Sequence, residues 1–187
     1  MLDSPTRLPA EVVGPRVVLR RWTVDDVPRL GAAITRNLDH LRPWMPWVAF
    51  EPLADSDRAA LIATWDRSWL DGGDATFGIF LDREPIGGTG LHRRRGPHGL
   101  EIGYWIDKDH LNQGFATEVA RVLTSAALAL PGITFVEIHH DKANIASSRV
   151  PQHLGFTFVG ETPDEITSPA EVGIDCGWRM SADDWHG

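Results

Sequence analysis

Cysteine occurs once in 187 residues, at Cys176, so no disulfide can form within the chain. A lone thiol suits a reducing compartment, and the expected location is the cytoplasm. No basic residue lies close to Cys176 in sequence, which favours a packed thiol over a nucleophile. Long apolar runs are lacking as well. No window is uncharged for long enough to make a transmembrane helix, so no membrane partner is expected. The first residues, MLDSPTRLPAEV, contain no apolar h-region, and no secretory signal is expected. Positive charge is scarce: 18 Lys and Arg stand against 26 Asp and Glu, a formal net charge of −8. That balance speaks against nucleic acid as the main partner, because phosphate backbones need clustered cations. The one dense basic run, Arg93-Arg94-Arg95, leads into Gly96-Pro97 and reads as a solvated turn flanked by the solvated His92 and His98. The GxGxxG fingerprint is missing after the first strand, which argues against a Rossmann-type nucleotide enzyme. Gly87-Gly88-Thr89-Gly90 reads instead as a close-packing site inside a strand.

What remains is an ordinary globular composition, 42% hydrophobic and 24% charged, with enough length for one domain spanning residues 1–187. Arg16 to Arg20 reads as a first strand. Thr23 opens a helix with Asp26 three positions later, in capping-box fashion. Pro43 and Pro46 break that helix, and a second runs from about Ser56 to Leu70. Strands follow over Thr76–Leu81, Pro85–His92 and Leu100–Ile106. Phe115 to Leu130 carries apolar residues at helical spacing and is the clearest helix. A strand over Thr134–His140, a short helix from Ile145, and strands Phe156–Gly160 and Gly177–Met180 complete the order. Seven strands and four helices in this sequence make a mixed α/β (α+β) fold with too few βαβ crossovers for a doubly wound sheet.

The most informative stretch is Gly99 to Thr117, GLEIGYWIDKDHLNQGFAT. A strand there runs through a polar turn into a helix whose first turn holds Gly114 and Ala116. The first N–H groups of a helix have no internal partner, and the macrodipole makes that end positive. Small residues leave those groups uncovered, a seat for phosphate or pyrophosphate.

EIGYWI, NQGFATE, VEIHHD, NIASSRV and LGF, in this order, resemble the GNAT N-acyltransferase superfamily, and its RimJ/RimL-like branch most closely. LRRWTVDDV and HLRPWMPW resemble the same branch. The resemblance implies a mostly antiparallel central sheet in which two strands, Leu100–Ile106 and Thr134–His140, splay at one end. It implies acetyl-CoA or another short acyl-CoA as co-substrate, with no metal. The pyrophosphate would rest on backbone amides of Asn112, Gln113, Gly114, Phe115, Ala116 and Thr117. Leu111 departs from the usual Gln or Arg at the head of that loop. Pantetheine would pair with Trp105 and Ile106, and Asn144 would cap the next helix or bond the pantetheine amide. Ser147 would lie near the thioester, and Arg149 would reach a CoA phosphate or form a surface ion pair. The reaction implied is acyl transfer to an amine acceptor in a ternary complex, on a protein N-terminus in the named members and on small amines such as aminoglycosides in related enzymes. A catalytically silent acyl-CoA-binding module is the further alternative. The oligomeric state, including a homodimer, stays open.

Catalysis needs a base, and Glu101 is the first candidate, on one strand face with Gly103 and Trp105. The position four before Gly155, where many members carry a tyrosine acid, is Pro151. Proline there leaves the Ser147 carbonyl without its helical partner, so the Ser147 hydroxyl or a bound water is the expected proton donor. Tyr104, the single tyrosine, lies on the face opposite Glu101. His139 and His140 point to opposite faces of their strand and cannot easily chelate one ion. His139 is therefore read as structural or substrate-proximal. Trp44 and Trp47 flank a proline-containing loop and are assigned to the acceptor wall.

Overall fold

The computed structural model describes residues 7–187. The leader reading made on the residues before Arg7 lies outside that range. In chain order the elements are β1 (Glu11–Val13), β2 (Val18–Arg21), α1 (Val27–Leu41), α2 (Asp55–Leu70), β3 (Ala75–Leu81), β4 (Glu84–His92) and β5 (Gly99–Ile106). There follow α3 (Phe115–Leu128), β6 (Phe135–Asp141), α4 (Ile145–His153), β7 (Thr157–Pro163) and β8 (Ile174–Ser181). One eight-stranded sheet results, in the order β1-β2-β3-β4-β5-β6-β8-β7. It has one strand more than the sequence suggests. β1 is only three residues long, too short for a periodic pattern, and forms by pairing with β2 across the turn that follows it.

Every strand pairing is antiparallel except β5 with β6. That parallel ladder covers only Gly99–Glu101 against Phe135–Glu137. Beyond Glu101 the two strands separate, and the edge of β5 facing β6 has no ladder partner. Side chains alternate across the sheet. Leu100, Ile102 and Ile106 of β5 pack with Val119 and Leu123 of α3 and with Val136 and Ile138 of β6. On the other face Trp105 joins Trp22, Leu30, Ile34, Ile62 and Phe80 beneath α1 and α2.

The capping box is present: Thr23 N–H and hydroxyl both donate to Asp26, each at 2.9 Å. Arg20 adds a fork to the same carboxylate, at 2.7 and 2.9 Å. Burial opposes ionisation, but the Arg20 fork and the Thr23 donors win and hold Asp26 down to about 2. Its stabilisation is thus full above the unfolded carboxylate range and is lost as pH falls toward 2. The shift is worth about 2 kcal/mol, so Asp26→Asn should unfold in urea with that deficit at pH 7. The deficit should shrink steadily between pH 4 and pH 2, as denaturant midpoints across that range will read.

Candidate active site

The opening between β5 and β6 leads into a cavity of about 480 Å³, within the usual range for small-molecule sites. Tyr104, Trp105 and Ile106 of β5 form its floor. Residues 110–112 and 114–117 close one end, and Asn144, Ser147 and Arg149 of α4 form a wall. The opposite wall is the end of α1 with Trp44 and Met45. The sequence candidates Trp44, Trp105, Ile106, Asn112, Gly114, Phe115, Ala116, Thr117, Asn144, Ser147 and Arg149 therefore meet in one place. Gln113 does not line it. Its amide donates to the Asp109 carbonyl at 3.1 Å, and its own carbonyl accepts from Arg16 at 3.0 Å.

The turn ahead of α3 is held from both sides. Asp107, 1% exposed, accepts from Asn37 of α1 at 2.9 Å, from Arg36 at 2.5 Å and from the Asp109 N–H at 3.0 Å. Asn37 in turn accepts from the Lys108 N–H at 2.8 Å. Burial disfavours the Asp107 anion, yet these donors lower its pKa, so it stays charged and the turn stays anchored to α1. Asn112 and Gly114 then take left-handed backbone, φ 58° and 81°, which Gly adopts freely and Asn better than most residues. Gly114 is the N-cap of α3 and supplies no side-chain cap, and the first helical bond is from Glu118 N–H to the Gly114 carbonyl. The N–H groups of 115–117 are left for a ligand. The one acid in that turn, Glu118, is neutralised by Arg16, which bonds it from N–H at 2.7 Å and from Nε at 2.5 Å. Arg16 also stacks 4.3 Å over the Phe115 ring. The sequence reading missed this arginine at the seat, because its partner lies 102 residues away.

A second hydroxyl joins Ser147, the expected proton donor. The carbonyl that Pro151 leaves open on Ser147 is taken by the Tyr104 hydroxyl at 3.3 Å, and the Ser147 Oγ lies 3.2 Å from the same hydroxyl. Tyr104 thus belongs to the cavity, which at the parting of β5 from β6 takes lining from both faces of β5, Tyr104 and Ile106 on one and Trp105 on the other. Burial pushes the Tyr104 phenol up to about 12, so it remains a neutral donor. Asn144 acts as the cap of α4, its side chain accepting from the Ser147 N–H at 3.1 Å.

Glu101, Trp47 and His139 do not line the cavity. Glu101 is 7% exposed, and both of its oxygens are engaged, by Arg94 at 3.0 Å and by Arg95 at 2.5 Å. The basic run lies in the turn between β4 and β5, where Arg94 stays largely exposed while it and Arg95 reach back to Glu101. His139 is held between Asp175 at 2.7 Å and Glu137 at 2.9 Å, one carboxylate on each ring nitrogen. Burial works against its charge, but the two carboxylates prevail and raise its pKa. Arg179 and Arg95 complete the cluster around Glu137. Trp47 packs tilted against Trp105, ring centroids 6.4 Å apart. His92 is not solvated either: its Nδ1 lies 2.8 Å from Asp74.

A family model described as Acetyltransferase (GNAT) domain matches residues 16–157. A Bacillus subtilis (strain 168) protein named "Putative ribosomal N-acetyltransferase YdaF" is 28% identical over 155 residues, 82% of this chain and 85% of its own. A solved structure described as a probable acetyltransferase shares 24% identity with a TM-score of 0.84, over 91% of this chain and 96% of its own. RimL, described as a ribosomal L7/L12 alpha-N-protein acetyltransferase in complex with coenzyme A, shares 18% identity with a TM-score of 0.83, over 95% and 99%. The two structural likenesses share the whole fold just described.

Proposed function

This chain belongs to the GNAT acetyltransferase family, and we propose that the amine it acylates is the α-amine of a protein or peptide N-terminus. The observation that carries the reading is one cavity combining an unpaired strand edge with uncapped helix N–H groups. Such a cavity suits a ligand with an amide-bearing arm and a pyrophosphate end, as coenzyme A has. Acyl-CoA supplies an activated thioester. The N–H groups of 115–117 bind the pyrophosphate, with Arg149 on the same wall for a further phosphate. Trp105 and Ile106 offer the β5 edge to the pantetheine arm. Ser147, beside the neutral Tyr104 hydroxyl, donates a hydrogen bond to the departing sulfur. Trp44 bounds the acceptor side, with Trp47 packed on Trp105, and the cytoplasm is the compartment.

An α-amine has a pKa of about 7.7–8.0 against about 10.4 for a lysine-type amine, so the latter costs roughly 3.4 kcal/mol more to deprotonate. A site with one proton donor shared between two hydroxyls favours the easier amine. Solved neighbours described as modifying the N-terminal serine of L7/L12 and as a ribosomal-protein-S5-alanine acetyltransferase point the same way. The test pairs acetyl-CoA with peptides bearing free N-terminal Ser or Ala, N-blocked lysine peptides, polyamines and aminoglycosides. Thiol release with acetylation confined to the N-terminal residue is the expected result. Faster turnover of a polyamine or an aminoglycoside would replace the proposed acceptor.

A further inference from the structure

The face of the sheet opposite α3 carries several ionisable side chains near the point where β5 and β6 part. Glu101, His139 and Glu137 are already committed there: each of their polar atoms has a charged partner. His92 differs. Its Nδ1 faces Asp74 Oδ2 at 2.8 Å, and a carboxylate can only accept, so Nδ1 carries the proton. The second oxygen of Asp74 accepts the Arg93 N–H at 2.8 Å, which fixes the carboxylate in turn. The hydrogen bond to His92 is the main cause that lowers the Asp74 pKa, and Asp74 therefore stays anionic. Nε2 is left with a free lone pair and no hydrogen bond among the described residues.

Nε2 lies over two glycines. A Cβ placed on Gly90 would stand 2.8 Å from it, so only glycine leaves room for the ring. A Cβ placed on Gly103 would stand 3.6 Å away, so the nitrogen overlooks bare backbone of β5. Gly103 lies two residues past the last rung of the β5–β6 ladder and next to Tyr104 of the cavity floor. Gly103 shares with Trp105 the face of β5 on which His92 lies, and Trp105 lines the cavity, so the cavity reaches this face two residues further along the strand. The groups around the ring are Asp74 ahead of β3, Glu101 directly across on β5, and Arg93, Arg94 and Arg95 after β4. From β6, Glu137 and His139 reach this cluster through Arg95.

We propose that His92, oriented by Asp74, is the base that takes the proton of the acceptor amine beside Gly103. This rests on the N-acyl transfer reading above and deepens it. The amine lone pair forms the N–C bond while its proton passes to Nε2. The C–S bond breaks with its electron pair leaving on sulfur, which ends as the thiol. One proton is taken at His92 and one is delivered at sulfur, so amine and thioester become amide and thiol with no other reactant. Glu101, the earlier candidate, is instead engaged by Arg94 and Arg95.

The test uses the full chain, acetyl-CoA and a peptide with a free N-terminal serine. His92→Gln should lower kcat by about a hundredfold, with KM for acetyl-CoA changed by less than about twofold. The acid limb of kcat/KM should vanish with it, and kcat should fall about tenfold in Asp74→Asn, where the ring loses the partner that fixes its tautomer. Without any ligand, ring-nitrogen NMR should find His92 as the Nδ1-protonated tautomer in the wild type, a preference lost in Asp74→Asn. Added imidazole should restore turnover in His92→Ala. A His92→Gln enzyme that keeps about half of the wild-type kcat and its acid limb overturns the assignment. If His92→Gln shows no heat of coenzyme A binding, Asp74→Asn decides: wild-type kcat with the tautomer preference lost overturns the assignment. A wild-type chain that acetylates no amine at all overturns the acyl-transfer reading itself, and the base with it.

Discussion

Ala116→Glu is expected to weaken coenzyme A binding by about a hundredfold, close to 3 kcal/mol, while acetylpantetheine turnover stays within about threefold. Ala116 lies in the first turn of α3 and lines the cavity. A charge-assisted hydrogen bond is worth about 1.5–3 kcal/mol, and the helix dipole adds about 0.3–1 kcal/mol for an anion at this end. A glutamate in that turn competes for the same N–H groups and repels the pyrophosphate, so both contributions are lost together. Acetylpantetheine carries no pyrophosphate and is blind to the change. The split separates a lost anion seat from a collapsed cavity, since a collapsed cavity would reject both thioesters. Calorimetry with coenzyme A and steady-state kinetics with the two donors provide the measurement. Equal loss for both donors would refute the seat. Ala116→Ser, small and neutral, should bind coenzyme A as the parent does.

The turn and helix that frame this cavity end were legible in the sequence because their pattern is local: Gly114 and Ala116 keep the first turn small, and the apolar spacing after Phe115 announces the helix. The features missed are those set by partners remote in sequence. β1 exists only as a rung for β2. Arg16 reads as a strand residue until Glu118 is folded beside it. The run Arg93-Arg94-Arg95 looks solvated in isolation, but the β4–β5 register puts His92 opposite Glu101 and turns the arginines onto two buried carboxylates. Alternation along β5 was read correctly, with Glu101 and Tyr104 on opposite faces. What periodicity could not show is that Arg94 and Arg95 engage both oxygens of Glu101, since those contacts depend on how the turn after β4 folds back. Pro151 was the usable signal: an orphaned Ser147 carbonyl needs a donor, and Tyr104 is that donor.

Breaking the ion pair under the acceptor wall should be the costliest single change in stability. Arg58 and Glu51 have side chains only 2% and 3% exposed and meet through two contacts, at 3.1 and 2.7 Å. Glu51 also accepts the Leu53 N–H at 2.9 Å, so the pair ties α2 to the segment carrying Trp47. Gly31 of α1 makes the passage for the guanidinium, since a Cβ there would stand 3.3 Å from Arg58 Nε. Arg58→Ala strands a buried carboxylate, and removing one member of such a pair costs about 3–5 kcal/mol. The intact pair has itself paid for desolvation, so replacing both members with apolar residues of similar volume should be close to neutral. Urea titrations of Arg58→Ala, Glu51→Leu and the double variant Glu51→Leu/Arg58→Met will measure this. The expected pattern is a large deficit in Arg58→Ala and recovery of most of it in the double variant. Arg58→Ala should also raise the acceptor KM more than the acetyl-CoA KM, because the freed segment walls the acceptor side. A loss below about 1 kcal/mol in Arg58→Ala would mean that water reaches Glu51 and that the pair does not fix the wall.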